Sequence, residues 1–146
     1  MKNKAQRKAQ HKARREAYEK YARDVADRMG LRDWEVRVSE HRPEKGIAAR
    51  LHATEGRKYA WIAFGKCFYK LSPEKQRQTV VHELVHIHFT PMHLPLFDGM
   101  ESELARKFYV SAFEYGVDAI SDIIAPSMPL PPKREKPTRR RAKNSN

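Results

Sequence analysis

The segment SPEKQRQTVVHELVHIHF, residues 72–89, decides how the fold of this 146-residue chain is interpreted. Ser72 is a favoured N-cap residue and Pro73 suits the first helical position, so a helix is predicted from Pro73 to about Phe89, ending before Pro91. The second half of this helix is apolar on nearly every side. Its apolar residues are Val80, Val81, Leu84, Val85, Ile87 and Phe89. We therefore expect a buried helix at the centre of the domain.

Two histidines and a glutamate interrupt this apolar surface. His82-Glu83-Leu84-Val85-His86 has the pattern HExxH, and residues i and i+4 lie on one face of a helix. Two imidazoles on that face can bind one Zn²⁺ ion, and Glu83 can take a proton from a water molecule that the ion activates. The alternative is a helix with two hydrogen-bonded histidines, but it would also bury Glu83 without a cation, which is costly. The pattern predicts a zinc site with Glu83 as the general base.

A zinc site of this kind needs a third protein ligand. A third histidine is absent from the position six residues after His86, where a short turn would place it. Glu114, Asp118 and Asp122 instead form an acidic line at i, i+4 and i+8 on an otherwise apolar segment. One end of this line is expected to face the metal.

Glu114 is the preferred third ligand, because Val117 and Ile120 then pack against the HExxH helix in the same register. Asp118 would accept a hydrogen bond from the other N–H group of a ligand histidine. The alternative ligands are Asp118 itself, Glu103 and Glu101. His93, in the expected loop after the HExxH helix, and Tyr115 are further candidates for lining the cleft.

The rest of the chain predicts an α+β fold. A helix is expected from about residue 16 to 29, with Gly30 as its C-terminal cap. Alternation at 34–38 and 47–53, together with the apolar run Tyr59–Phe64, predicts a three-stranded antiparallel meander. A second long helix, carrying the third ligand, is expected from Asp98 to about Ala125.

Charge is distributed unevenly along the chain. Lys and Arg number 30 against 18 Asp and Glu, and the excess lies at the two ends. We therefore predict a basic flexible arm at 1–15, a metallopeptidase domain at 16–125, and a Pro/Arg-rich disordered tail at 126–146. Basic arms around a neutral domain are typical of contacts with phosphate backbones, for which Arg139, Arg140 and Arg141 are the candidates. The second functional hypothesis is accordingly a nucleic-acid-binding accessory protein with a structural or inactive zinc site.

Several classes are excluded by composition. No apolar run approaches the roughly 18 residues of a membrane-spanning helix, and no signal peptide is evident, so a cytoplasmic protein without a membrane partner is expected. The single Cys67 cannot form an internal disulfide or a four-cysteine zinc site. Any metal would therefore be bound by histidine and carboxylate.

The order of these motifs resembles a known type of enzyme. Trp34-Glu35-Val36, Tyr59-Ala60-Trp61-Ile62-Ala63 and Leu71-Ser72-Pro73, leading into HExxH, are similar to small zincin-like proteins of tailed phages. The resemblance is to a minimal gluzincin, in which Glu from the next helix completes HExxH, and it implies a zinc-dependent peptidase acting on a protein or peptide substrate. The segment 114–120 resembles the ligand helix with Glu114 as ligand, whereas 118–123 resembles that of thermolysin-like peptidases with Asp118 in its place. The resemblance further implies that the Tyr59–Phe64 strand borders the cleft and pairs with substrate.

Overall fold

The computed structural model describes residues 4–54 and 56–132. In chain order the main elements are helix α1 (Lys4–Arg28), strands β1 (Glu35–Val38), β2 (Ala49–Ala53) and β3 (Tyr59–Phe64), and helices α2 (Pro73–Asp98) and α3 (Glu103–Ile124). Short 3-10 turns follow at Phe68–Lys70 and Ala125–Ser127. The predicted α+β class is confirmed.

The sheet is mixed, so the predicted antiparallel meander is wrong. β3 lies in the centre, antiparallel to β2 and parallel to β1, with Ile62 opposite both Leu51 and Val38. Alternation along a strand identifies its faces but not its neighbours. β3 is the most apolar of the three strands, and in the central position its backbone groups have hydrogen-bond partners on both sides. The long segment between β1 and β2 lets these two strands lie apart, with β3 between them.

Helix α1 is longer than the predicted 16–29, because the alanine-spaced basic segment before residue 16 continues the same helix. Its C-terminal end matches the prediction that Gly30 caps it. Gly30 has φ of 80°, and the Leu31 N–H group donates to the Ala26 carbonyl at 2.9 Å. These are features of a helix ended by a left-handed residue.

Helix α2 continues through Pro91 and Pro95 to Asp98, beyond the predicted end at Phe89. Each proline removes one N–H donor, yet its ring holds φ near the helical value. Both prolines are exposed, so their rings lie on the outer side of the helix. Helix α3 in turn begins at Glu103 rather than at Asp98.

The core lies where α2 packs against the sheet, α1 and α3. Its fully buried members include Val25, Ile62, Phe68 and Leu84. Packed structure extends past the predicted domain end at 125, since the Tyr21 hydroxyl donates to the Pro129 carbonyl at 2.8 Å. Within the described residues, no helix is both long enough and apolar enough to span a membrane.

Candidate metal centre

His82, His86 and Glu114 converge on one point between α2 and α3. The Nε2 atoms of His82 and His86 are 3.1 Å apart. Glu114 Oε2 is 3.5 Å from the first of these nitrogens and 3.6 Å from the second. Together the three side chains form a group that can hold a metal ion.

Helical geometry and packing bring these atoms together. The two histidines are four residues apart on α2 and therefore share a face. Helix α3 is held against that face by buried Val117 and by Phe113, whose ring lies 5.5 Å from that of His86. Ligand atoms bound at 2.0–2.1 Å in a tetrahedral site are about 3.3 Å apart, close to the observed spacing.

Asp118 occupies the supporting position rather than the ligand position. Its Oδ1 atom is 2.9 Å from Nδ1 of His82, so a carboxylate there accepts the Nδ1–H hydrogen bond. That bond leaves the Nε2 lone pair of His82 free to face His86 and Glu114. The alternative Glu103 lies elsewhere on α3, where it pairs with Lys107 at 3.0 Å.

Glu83 is buried beside the cluster, with only 7% of its surface exposed. Burial raises the pKa of its carboxyl group to about 7, although the charge of His82 and a hydrogen bond from the Leu51 N–H group act in the opposite direction. Burial, with smaller effects of His82 and His93, lowers the pKa of His86 to about 4. His86 is therefore neutral at neutral pH, which is the form that binds metal.

A cleft of about 480 Å³ opens at the cluster. Strand β2 forms one wall, and residues of α2 and α3 form the other. The expectation that β3 borders the cleft and pairs with substrate is wrong, because β1 and β2 occupy both of its edges. The edge strand beside the cleft is β2.

The register of β2 determines which of its backbone groups are free. Ala48 and Thr54 bond to the β3 side, through Gly65 N–H to Ala48 O and Thr54 N–H to Tyr59 O. Because bonding alternates along an antiparallel pair, the groups of residues 49, 51 and 53 point away from β3. The hydrogen bond from Leu51 N–H to Glu83 agrees with this pattern.

The two other predicted cleft residues have different positions. His93 lines the cleft and stacks on Phe113 at a centroid distance of 4.2 Å, with its Nδ1 atom 3.3 Å from the Tyr109 hydroxyl. Tyr115 is 78% exposed and does not line the cleft, because one step along α3 from Glu114 turns it to the outer face.

Leu51, Thr90 and Phe113 also line the cleft, although no motif in the sequence marks them as site residues. Alternation in β2 correctly assigned Leu51 to the inner face, but only the sheet order shows that this strand lies beside the HExxH helix. Arg139, Arg140 and Arg141, the predicted nucleic-acid contacts, lie outside the described residues.

Comparison with known proteins identifies no relative. No family model matches the chain, and no curated protein or solved structure matches it. The resemblance to minimal gluzincins therefore stays a prediction, and the geometry of the site has to support any functional conclusion.

Proposed function

We propose that this protein is a zinc-dependent metallopeptidase, in which His82, His86 and Glu114 hold Zn²⁺ and Glu83 is the general base. The observation that carries the proposal is the convergence of the three ligand atoms from two helices, beside a buried glutamate in an open cleft. Two imidazoles and one carboxylate are a ligand set of catalytic zinc sites in peptidases.

The number of ligands favours catalysis over a structural metal site. Structural zinc has four protein ligands, whereas catalytic zinc keeps one position open. Among the residues that the structure describes, the metal-binding group has three members, and His93 stacks on Phe113 instead of joining them. A fourth position would therefore face the cleft.

Glu83 has the protonation behaviour that a general base needs. When bound, Zn²⁺ would polarise the substrate carbonyl group and acidify a water molecule. In the metal-free protein burial raises the pKa of Glu83 to about 7, and a bound Zn²⁺ would favour the carboxylate, which could then accept the proton of the attacking water and afterwards donate it to the leaving amine.

Strand β2 offers a binding surface for an extended peptide. The outward backbone groups of Ala49 and Ala53, with the carbonyl group of Leu51, can extend the sheet by one strand of substrate. Phe113 and His93 on the opposite wall would contact substrate side chains. We therefore propose a protein or peptide segment in extended conformation as the substrate class.

The proposal is tested by measuring metal content and cleavage in parallel. Protein purified without added zinc is analysed by elemental mass spectrometry and incubated with a diverse peptide library, with cleavage followed by mass spectrometry. We expect about one zinc per chain in the wild type and in Glu83→Gln, and cleavage by the wild type but not by Glu83→Gln. Glu101, an alternative ligand in the sequence, is exposed and lies outside the group of three side chains that can hold the metal, so Glu101→Gln removes the same charge away from the site and is the matched control, expected to bind zinc and cleave like the wild type.

The results separate the parts of the proposal. Cleavage by Glu83→Gln at the wild-type rate would contradict the role of Glu83 and indicate a contaminating protease. Absence of bound metal after reconstitution with Zn²⁺ would contradict the metal site itself. Zinc retained by Glu114→Ala but lost in Asp118→Ala would contradict the ligand assignment.

A second candidate function is favoured by a basic cleft elsewhere in the molecule. This cleft, of about 710 Å³, lies between the first half of α1 and the segment after β1. Its basic lining residues are Lys8, His11, Lys12, Arg15, His41 and Arg42. Burial and the neighbouring arginines lower the pKa of His11, as expected where positive charge is concentrated. We propose that this cleft contacts nucleic-acid phosphates, alone or alongside peptidase activity.

Nucleic-acid contact is tested by fluorescence anisotropy with a labelled single-stranded oligonucleotide at 50 and 200 mM salt. We expect binding that weakens steeply with salt, and Lys8→Glu with Lys12→Glu should weaken it at least tenfold. Lys66→Glu is the matched control, because Lys66 is exposed outside this cleft. Equal effects of the control and the double variant, or binding that does not depend on salt, would contradict the assignment.

A further inference from the structure

An apolar stripe runs along the outer face of α3, opposite the face that packs on α2. Its large members are Leu104, Phe108, Tyr115 and Ile123, which are 64%, 70%, 78% and 80% exposed. Exposed Ala112 and Ala119 complete the stripe. The spacing of these six residues keeps them on one side of the helix for about 28 Å. A contiguous apolar surface of this kind is typical of a protein interaction site.

The stripe is complementary to itself when two copies run antiparallel. A twofold axis level with residues 113 and 114 places Leu104 opposite Ile123, Phe108 opposite Ala119 and Ala112 opposite Tyr115. Each aromatic ring then meets an alanine of the other copy, and the two branched aliphatic residues meet at the ends. Large side chains opposite small ones allow helices to pack without voids.

Charges beside the stripe support the same direction of pairing. Lys107, Asp118 and Asp122 lie along one edge of it by helical position. Within the chain Lys107 contacts Glu103, and the two carboxylates are hydrogen-bonded to His82 and Gln78 of α2, so the second copy would add to these contacts at the border between the stripe and α2. The same edges of two antiparallel helices face each other, so Lys107 of one copy lies between the levels of Asp118 and Asp122 of the other. Parallel pairing would place these edges on opposite sides of the interface, where the opposite charges would not meet.

The C-terminal segment 133–146 does not suit this surface. Residues 133–146, which lie outside the described part, contain no Leu, Ile, Val, Met, Phe, Tyr or Trp. The four large side chains expose roughly 500 Å² per copy if each offers about 150–200 Å², so two copies would bury roughly 1,000 Å². This area is at the lower limit for a specific protein interface and is compatible with a weak dimer.

The geometry points to a second copy of this chain as the occupant: α3 forms an antiparallel homodimer contact through Leu104, Phe108, Ala112, Tyr115, Ala119 and Ile123. The contact is independent of metal binding and of peptidase activity. Its expected dissociation constant is in the micromolar range, because the buried area is small and each copy carries a net charge of +12.

An exchange of large and small residues tests the register. Sedimentation equilibrium of the full chain over 2–200 μM, roughly spanning the expected micromolar constant, measures dimerisation. We expect Phe108→Ala and Ala119→Phe each to weaken it at least tenfold, and the double variant to restore it to within about threefold. The reason is that the double variant exchanges the two members of each pair. Leu130→Ser, at an exposed apolar position outside the stripe, is the matched control and should leave dimerisation unchanged.

A second pair of variants tests the same register through charge, without changing the large and small side chains of the stripe. Lys107→Asp and Asp122→Lys each weaken dimerisation, and together they restore it. A wild-type chain that is monomeric at 200 μM would overturn the proposal. Dimers that tolerate Phe108→Ala, or single and double variants that are weakened equally, would overturn the antiparallel register. Circular dichroism of each variant verifies that the substitutions leave the fold intact.

Discussion

Replacing Glu83 by glutamine is expected to stabilise the metal-free protein, by an amount that depends on pH. Burial raises the pKa of Glu83 from 4.5 to about 7, so the folded protein holds a proton there that the unfolded chain releases. Stability therefore falls as pH rises through this window, because the folded state binds more protons than the unfolded state. A shift of this size corresponds to about 3 kcal/mol at pH 8.

The titration of His86 changes the stability in the opposite direction, so it offsets part of this loss of stability in the wild type. Its pKa is lowered from 6.5 to about 4, so only the unfolded chain binds that proton between these values, and stability rises with pH. From pH 4.5 to 6.5 the two effects nearly cancel in the wild type. In Glu83→Gln only the titration of His86 remains, so the stability of this variant rises with pH over the same range. The stability of the variant relative to the wild type should therefore increase by about 3 kcal/mol between pH 4.5 and pH 8.

Urea unfolding in the presence of a chelator, at several pH values over this range, measures the difference. Glu101→Gln is the control, because Glu101 is exposed and its replacement should change stability by less than about 0.5 kcal/mol at any pH. A difference between Glu83→Gln and wild type that stays constant with pH would show that Glu83 ionises as readily in the folded protein as in the unfolded chain. The burial argument would then be refuted.

Two further predictions concern the metal site and the backbone. Asp118→Asn should weaken zinc affinity by about 10- to 100-fold and Glu114→Gln by more, measured by competition with a chromophoric chelator; the reverse order would exchange their roles. Gly65→Ala should destabilise the fold by about 2 kcal/mol or more, because an added Cβ would lie 2.0 Å from the Ile47 carbonyl oxygen. Gly116→Ala should stabilise α3 by about 0.5–1 kcal/mol, because the space around Gly116 is open and alanine favours a helix over glycine. Thermal denaturation tests both glycine variants: Tm should fall for Gly65→Ala and rise for Gly116→Ala. A rise in Tm for Gly65→Ala would contradict the predicted steric conflict.

Local signals in the sequence located the three helices and three strands along the chain, though not every helix end, and half of the candidate site. The N-cap at Ser72, the buried apolar face of α2 and the i, i+4 spacing of His82 and His86 are properties of one continuous segment, so they could be predicted without knowing what surrounds it. The alternation in β1 and β2 was equally local, and both strands lie where it predicts.

Tertiary structure alone decided what depends on elements distant in the chain. The strand order, with β3 in the centre and β2 at the cleft, follows from which edges pair, and alternation does not encode this. That Glu114 rather than Asp118 lies beside the Nε2 atoms of both histidines follows from the position of α3 along α2, since a shift of one helical turn would exchange the two carboxylates. The continuation of α2 through Pro91 and Pro95 to Asp98 runs against the local signal, which predicts an end before Pro91. Periodicity along a chain specifies which face of an element is buried, whereas the neighbour that buries it is set by packing among all the elements together.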